Sequence, residues 1–166
     1  MTISPGEKIP SVNLKVLGEN GIDNLDIADY IKGKNVVIFG VPAAYTPVCT
    51  MNHMPGFVNN ADEIKSKGID EIICIHVNDP FVSQQWAKDC DCESKVTVIP
   101  DGNAELTKAL GLELDGSGFG LGTRCQRFSM IVEDGVVQSL DIEDEATTLD
   151  KSSAETCLVN LQQKAA

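Results

Sequence analysis

A short segment of the chain places a cysteine, a threonine and two prolines where an apolar strand is predicted to turn into a helix. The segment reads Gly-Val-Pro-Ala-Ala-Tyr-Thr-Pro-Val-Cys over residues 40–49 and follows the apolar run 35–39. A thiolate is a strong nucleophile, and the free N–H groups and positive dipole end of a helix start favour this charged form. Cys49 is therefore a candidate nucleophile.

A helix start alone does not ionise a thiol fully at neutral pH. An unperturbed thiol has a pKa of about 8.5, and lowering it to about 6 requires roughly 3.4 kcal/mol of differential stabilisation. A helix N-terminus typically contributes about 0.3 to 1 kcal/mol, and about 2 kcal/mol at best. A cation, preferably an arginine because it stays charged and offers a planar fork of donors, should therefore lie near Cys49.

The chain contains only two arginines, Arg124 and Arg127. Residues three apart on a straight strand point to opposite faces, so at most one of the two should reach Cys49. We predict that it is Arg127, because this choice leaves Phe128 and Met130 to face the core. Arg124 is then a supporting or surface residue.

Three further residues in or shortly after this segment could take part in chemistry. The hydroxyl of Thr46 both donates and accepts, which suits a group that holds a polar substrate atom beside sulfur. Pro42 has no N–H and a fixed φ, so we expect it to shape and shield the pocket. His53 lies four residues after Cys49 on the same helix face, which leaves a Cys–His hydrolase pair open. We favour a histidine that is hydrogen-bonded in the pocket wall or at a dimer surface.

Strand and helix patterns alternate along much of the chain. We predict strands over 35–39, 71–77, 95–99, 127–132 and 136–140, and helices over about 49–67, 79–89 and 103–110. The Asp134-Gly135 pair is a hairpin signal, and Ser152-x-x-Glu155 is a capping box that opens a C-terminal helix. This order predicts an α/β, thioredoxin-like fold with a central mixed β-sheet flanked by helices, in one domain spanning residues 1–166.

The composition restricts the binding partners and the cellular compartment that we expect. The net charge of −12 repels nucleic acid and anionic lipid surfaces. No apolar run reaches the roughly 18 to 20 residues that a membrane helix needs, and the first residues lack signal-peptide features. We therefore expect a cytoplasmic protein, or an organellar one whose transit peptide has been removed. The six cysteines are expected to be reduced thiols, and since no pair has C-x-x-C spacing we predict no metal site and no cofactor.

Several separated motifs resemble one family. The pattern Pro42-x-x-x-Thr46-x-x-Cys49 resembles the peroxiredoxin signature, and its extension through residues 53–57 resembles the type II, or atypical two-cysteine, subgroup. Residues 77–86 resemble the middle segment of that subgroup, and residues 120–137 resemble its arginine strand and hairpin. The resemblance covers about residues 3 to 162.

The resemblance implies a thiol peroxidase in which Cys49 is the peroxidatic cysteine and Pro42, Thr46 and Arg127 complete the pocket. It implies reduction of hydrogen peroxide and alkyl hydroperoxides through a sulfenic acid, with regeneration by glutaredoxin and glutathione or by thioredoxin. It also implies a homodimer and a role in antioxidant defence. A redox-sensing binding module and a cysteine hydrolase that uses Cys49 and His53 stay open as alternatives.

The thiol that resolves the sulfenic acid is open between two cysteines. Cys74 has the spacing from Cys49 seen in plant-like members, but it lies mid-strand among isoleucines, so a disulfide would require the helix start to unwind. Cys157 lies toward the C-terminus, where some animal members carry a resolving cysteine, but its register differs. We favour inert thiols at both positions, which would require an external thiol. Cys90 and Cys92 are expected to be surface thiols at a helix end.

Overall fold

The computed structural model describes residues 1–165. Within them the strands are β1 Asn13–Gly18, β2 Gly21–Asp26, β3 Asn35–Val41, β4 Glu71–His76, β5 Thr97–Pro100, β6 Glu113–Asp115, β7 Thr123–Cys125, β8 Phe128–Glu133 and β9 Val136–Ile142. The α-helices are α1 Ile27–Ile31, α2 Met54–Ser66, α3 Pro80–Asp89, α4 Glu105–Leu110 and α5 Ala154–Ala165. None of the helices in this range is long and apolar enough to cross a membrane.

The central sheet is mixed, as predicted. Its strand order is β5-β4-β3-β8-β9, with β3, β4 and β5 parallel and with β8 antiparallel to β3 and to β9. Asp134 and Gly135 join β8 to β9 with φ angles of 45° and 79°, the left-handed values that a tight hairpin turn requires. Because β8 runs back along β3, the start of β8 lies beside the end of β3.

Strand β3 is covered on both faces, because its alternating side chains enter two separate cores. Val37 and Phe39 pack in a cluster with residues of α2 and α5. Val36 and Ile38 pack on the opposite face with residues of α1 and α4. Cys49 is buried in the first cluster, so the candidate nucleophile borders the core formed by α2 and α5.

The predicted elements differ from the observed ones mainly at their ends. Asp79 caps α3 as predicted, because its carboxylate accepts hydrogen bonds from two N–H groups of the first turn. The helix predicted over 103–110 begins only at Glu105. Its start is set by the buried carboxylate of Asp101, which accepts the N–H groups of Leu106 and Thr107.

The C-terminal helix begins differently from the predicted capping box. The hydroxyl of Ser153 accepts the N–H of Thr156 at 3.2 Å, so Ser153 caps α5. The hydroxyl of Ser152 instead donates to the carboxylate of Glu143 at 2.8 Å. The assignment of Ser152 as the cap is therefore wrong. The hydroxyl that the local pattern assigned to the helix start is bound instead by a carboxylate outside the helix.

Gly40 allows a ring to lie directly on the end of β3. A Cβ at this position would be 2.1 Å from Cε1 of Phe128. The Gly40→Ala substitution must displace this buried ring, and we expect it to lower the free energy of unfolding by about 1 to 3 kcal/mol. Urea unfolding followed by circular dichroism would measure the difference.

The matched control is Gly118→Ala, because a Cβ at position 118 meets open space. Its free energy of unfolding should stay within about 0.5 kcal/mol of the parent value. Equal free energies of unfolding in the two variants would show that the packing of the Phe128 ring does not require a glycine at position 40.

Candidate active site

Cys49 lies in the first turn of a helix that follows the end of β3. Helical residues begin at Pro47, two residues earlier than the sequence predicted. Residues 49–53 then form a π-helical turn, in which the N–H of Met54 donates to the carbonyl of Cys49. Such turns occur often at functional sites. The turn places the sulfur inside the protein, since Cys49 is fully buried.

Pro42 and Thr46 lie in the connection between β3 and this helix. Pro42 is buried directly after the last residue of β3, and Thr46 is half-buried. The hydroxyl of Thr46 donates to the carbonyl of Ala43 at 2.8 Å, which leaves its lone pairs able to accept a further hydrogen bond. The carbonyl of Thr46 accepts the N–H of Thr50 at 3.0 Å, which ties Thr46 to the turn that carries Cys49.

The guanidinium of Arg127 contacts the sulfur of Cys49. Its Nη2 donates to Sγ at 3.1 Å, and only 2% of Arg127 is exposed. Its Nε donates to the carbonyl of Ala146 at 2.9 Å, and its Nη1 donates to Nδ1 of His53 at 3.0 Å. The structure thus brings together the two residues expected from sequence. A guanidinium held at three nitrogens places a fixed positive charge beside the sulfur.

His53 is hydrogen-bonded to Arg127 and to the backbone of Ser152. Its Nε2 donates to the carbonyl of Ser152 at 2.9 Å, so its Nδ1 is the acceptor for Arg127. Burial, and then the charge of Arg127, lower the pKa of His53 to about 3. Among the described residues no hydrogen bond joins His53 to Cys49, and its one lone pair is occupied by a guanidinium. The geometry therefore does not support the hydrolase pair.

Arg124 has a separate structural role. It is half-buried and donates to the carbonyls of Leu121, at 2.7 Å, and of Val77. The two arginines do not share a straight strand, because Arg124 lies in β7 and Arg127 directly precedes β8. The alternating-face argument therefore does not apply, although Arg127 is the arginine that reaches the sulfur.

Both candidate resolving thiols are buried. Cys74 is fully buried in β4 between Phe39 of β3 and Val98 of β5, and burial raises the pKa of its thiol well above the ordinary value. Cys157 is 2% exposed, and burial raises its pKa to about 12. In this conformation neither thiol is ionised at neutral pH, so neither is a ready nucleophile.

The prediction of two surface thiols at the end of α3 is half wrong. Cys90 is half-buried, but Cys92 is fully buried and burial raises its pKa to about 11. The chain turns inward at Asp91, whose φ is 49°. This left-handed residue directs Cys92 into the core, a change of direction that helix periodicity does not reveal.

Comparisons with known proteins identify the family. The profile of the Redoxin family matches residues 4–158. The chain is 42% identical over 161 residues to Peroxiredoxin-2E, chloroplastic, of Arabidopsis thaliana, a match that covers 95% of this chain and 68% of that protein. It is also 42% identical to Peroxiredoxin-2D of the same plant, over 86% of this chain and 88% of that protein. The chain is a type II peroxiredoxin.

Solved peroxiredoxin structures share the fold of this peroxiredoxin. Reduced Prx3 of Vibrio vulnificus in complex with hydrogen peroxide has 40% identity and a TM-score of 0.90, with 96% of this chain and 99% of that chain covered. Peroxiredoxin 5 of Alvinella pompejana has 32% identity and a TM-score of 0.84, with coverage of 97% and 99%. These comparisons confirm the predicted type II resemblance and the thioredoxin-like fold.

Two buried neutral histidines should make this peroxiredoxin sensitive to mild acid. Burial is the main cause that lowers the pKa of His53 to about 3 and of His76 to about 4. On acidification the two histidines take up protons in the unfolded chain first, at about pH 6.5, because their pKa values are lower in the folded protein. Their contribution to the free energy of unfolding is therefore complete above about pH 6.5 and is lost as the pH falls toward the pKa values of the folded protein. We expect the free energy of unfolding to fall by about 4 kcal/mol between about pH 7 and about pH 5, about 2 kcal/mol for each histidine.

Urea unfolding at a series of pH values would measure this dependence. The His76→Gln variant removes one of the two groups and lies outside the Cys49 site, so it should lose about half of the dependence. An unchanged pH dependence in His76→Gln would contradict the assignment of His76 as a neutral buried group.

Proposed function

We propose that this peroxiredoxin reduces hydrogen peroxide and alkyl hydroperoxides, with Cys49 as the attacking group, and that it serves antioxidant defence. The observation that carries the proposal is the 3.1 Å contact between Arg127 Nη2 and Cys49 Sγ in a buried site. Membership of the peroxiredoxins supports the class of reaction. The related Vibrio vulnificus protein, whose structure contains hydrogen peroxide, supports the class of substrate.

The first step transfers one oxygen atom from the peroxide to sulfur. The Cys49 thiolate attacks one peroxide oxygen in line with the O–O bond, which breaks as the S–O bond forms. The other oxygen leaves with the bonding pair and takes up a proton, so it departs as water or as an alcohol. The sulfur is oxidised by two electrons and becomes a sulfenic acid.

Arg127, Thr46 and Pro42 are proposed to hold the peroxide for this step. The guanidinium and the first-turn N–H groups would stabilise the charge that develops on the leaving oxygen. The hydroxyl of Thr46 can accept from the peroxide, because its own proton is already donated to Ala43. The apolar ring of Pro42 would exclude water from the sulfur, and Pro42 has no N–H that could donate a competing hydrogen bond.

An external thiol is proposed to return Cys49 to its reduced form. Attack by this thiol on the sulfenic sulfur forms a mixed disulfide and releases water, and a second thiol then releases Cys49 by exchange. The deep burial of Cys74 and Cys157 favours this route over an internal disulfide. Glutathione with glutaredoxin is the favoured reductant because the relatives include plant type II proteins, and thioredoxin is the next choice.

We also propose that the protein is a homodimer that packs through loops around the site. Exposed apolar side chains in the Cys49 segment and in the loop between β6 and β7 support this arrangement. Tyr45 and Met51 flank Cys49 in sequence with 50% and 73% exposure, and Phe119, in the loop between β6 and β7, is 87% exposed.

The compartment is proposed to be a reducing one. All six cysteines are free thiols in the structure, which is the state expected where disulfides are not formed. We propose the cytoplasm, or an organelle in view of the relative named as chloroplastic.

Substitutions at Cys49 and Arg127 test the proposed reaction directly. Cys49→Ser should abolish peroxide consumption, because a hydroxyl cannot accept the oxygen atom as sulfur does. Arg127→Lys should slow oxidation of Cys49 by about a hundredfold, because a point charge cannot reproduce the three-way hold of the guanidinium. Stopped-flow mixing of the reduced protein with hydrogen peroxide measures the rate constant.

The matched control for Arg127→Lys is Arg124→Lys, which changes the only other arginine and leaves the contact with sulfur intact. It should react within about twofold of the parent rate, as expected for a residue away from the reacting atoms. Substantial peroxidase activity in Cys49→Ser would refute the proposed nucleophile.

Alanine substitutions at the two buried thiols test the proposed external reductant. Cys74→Ala and Cys157→Ala should each keep turnover with glutathione and glutaredoxin within about twofold, because neither thiol is an accessible nucleophile. Mass spectrometry of the peroxide-treated protein should show a Cys49 sulfenic acid that glutathione converts to a mixed disulfide.

An internal Cys49–Cys74 or Cys49–Cys157 disulfide, with turnover lost in the corresponding alanine variant, would contradict an external first thiol. Supplying thioredoxin in place of glutathione and glutaredoxin separates the two reductants. A single oxidation of Cys49 without turnover by either reductant would favour the redox-sensing module.

A further inference from the structure

The irregular segment from Glu143 to Ser152 lies against the guanidinium of Arg127. It contains no helix or strand and connects β9 to the start of α5. Its Ala146 carbonyl accepts from Nε of Arg127 at 2.9 Å, and its Ser152 carbonyl accepts from Nε2 of His53 at 2.9 Å. Two of the three groups that hold the guanidinium therefore depend on where this segment lies.

The carboxylate of Glu143 holds the segment in place. Its Oε1 accepts from the N–H of Asp150 at 2.7 Å and from the N–H and hydroxyl of Ser152 at 2.7 and 2.8 Å. The hydroxyl of Thr148 shares its one proton between Oε2 of Glu143, at 3.3 Å, and the carbonyl of Glu145, at 2.9 Å. Glu143 is 7% exposed, so water competes little for these bonds. A single carboxylate thus joins the two ends of the segment.

Glu143 is also tied to the backbone of Arg127. Its own N–H donates to the carbonyl of Arg127 at 2.9 Å, which continues the β8–β9 pairing by one residue. The residue therefore links the backbone of Arg127, directly before β8, to the segment that contacts the Arg127 side chain. None of the described hydrogen bonds joins its carboxylate to the guanidinium or to Cys49, so any effect on the sulfur passes through the segment.

The ionised form of Glu143 suits this role. Burial acts to raise the pKa of Glu143, but the hydrogen bonds from the backbone of Ser152 and Asp150 and from the hydroxyls of Ser152 and Thr148 lower it overall. The carboxylate consequently stays charged at neutral pH, where it accepts the four hydrogen bonds more strongly than a neutral acid would.

We propose that Glu143 is a positioning residue for the reaction at Cys49. It fixes the segment whose Ala146 carbonyl accepts from the guanidinium of Arg127 and whose Ser152 carbonyl holds His53, a second partner of that guanidinium. The inference rests on the proposed function, in which that guanidinium assists attack on the peroxide. Displacement of a catalytic group by about 1 Å can cost about a hundredfold in rate, so the support of the segment should be visible in kinetics.

The test compares Glu143→Ala with Glu145→Ala. Both remove one carboxylate from the same segment, but Glu145 is exposed and its carboxylate makes no hydrogen bond to any of the described residues. Oxidation of Cys49 by hydrogen peroxide, measured by stopped flow, should slow by about tenfold or more in Glu143→Ala. It should stay within about twofold of the parent rate in Glu145→Ala. Equal rates in the two variants would overturn the proposal.

A second variant covers the case in which Glu143→Ala does not fold. Glu143→Asp keeps the charge but withdraws the carboxylate by one methylene, so it cannot keep all its partners at bonding distance. It should also slow oxidation by about tenfold while urea unfolding shows a folded protein. A folded Glu143→Asp protein with the parent rate would overturn the proposal.

A double-mutant cycle separates positioning from a general structural effect. In an Arg127→Lys background the same change at Glu143 should cost much less than tenfold, because the group that the segment positions is no longer there. A full tenfold loss in that background would overturn the proposed route through Arg127. A single Arg127→Lys variant that keeps the parent rate would contradict the proposed function. A slow Arg127→Lys variant beside Glu143 variants at the parent rate would contradict this inference and leave the proposed function standing.

Discussion

The contact between the Arg127 guanidinium and the Cys49 sulfur is the interaction on which the site depends. Two opposite charges separated by the observed 3.1 Å attract each other by about 5 kcal/mol at an effective dielectric constant of about 20. The helix start offers at most about 2 kcal/mol. Removing a charged sulfur from water costs several kcal/mol, so a buried thiolate at this position requires the arginine as well as the helix.

The topology of the sheet brings the two residues together. In the antiparallel pairing of β3 with β8, Gly40 lies opposite Phe128. Cys49 follows the end of β3 after one connection, and Arg127 directly precedes Phe128. Two residues far apart in sequence therefore meet at the end of the sheet where β3 stops and β8 begins. The absence of a side chain at Gly40 lets the Phe128 ring lie directly on the end of β3.

The pairing of Cys49 with Arg127 could be predicted because the energy of a thiolate demands a cation and the chain offers only two arginines. The mixed sheet and its hairpin followed from apolar runs and the Asp-Gly turn. The carbonyls of Ala146, which accepts from the guanidinium, and of Ser152, which accepts from His53, could not be predicted, because every residue carries a carbonyl and residue type gives no signal. Only the described fold shows which of them lie near Arg127.

The errors have a common physical origin. Ser152 matched a local capping pattern but is bound by Glu143, and Cys92 matched a helix end but is turned inward by a left-handed Asp91. In both cases a contact or backbone conformation outside the local pattern decides where the side chain goes. The segment from 143 to 152 likewise has contacts that no local pattern reveals, since the carboxylate of Glu143 accepts hydrogen bonds from Asp150 and Ser152.

The central claim is that the guanidinium of Arg127 stabilises the Cys49 thiolate, and the ultraviolet absorbance of the reduced protein near neutral pH tests it most directly. Subtracting the spectrum of Cys49→Ser isolates the contribution of the Cys49 sulfur. A thiolate band should be present in the parent protein and largely absent in Arg127→Met, a variant of similar length without charge. A band of equal intensity in Arg127→Met would contradict the account.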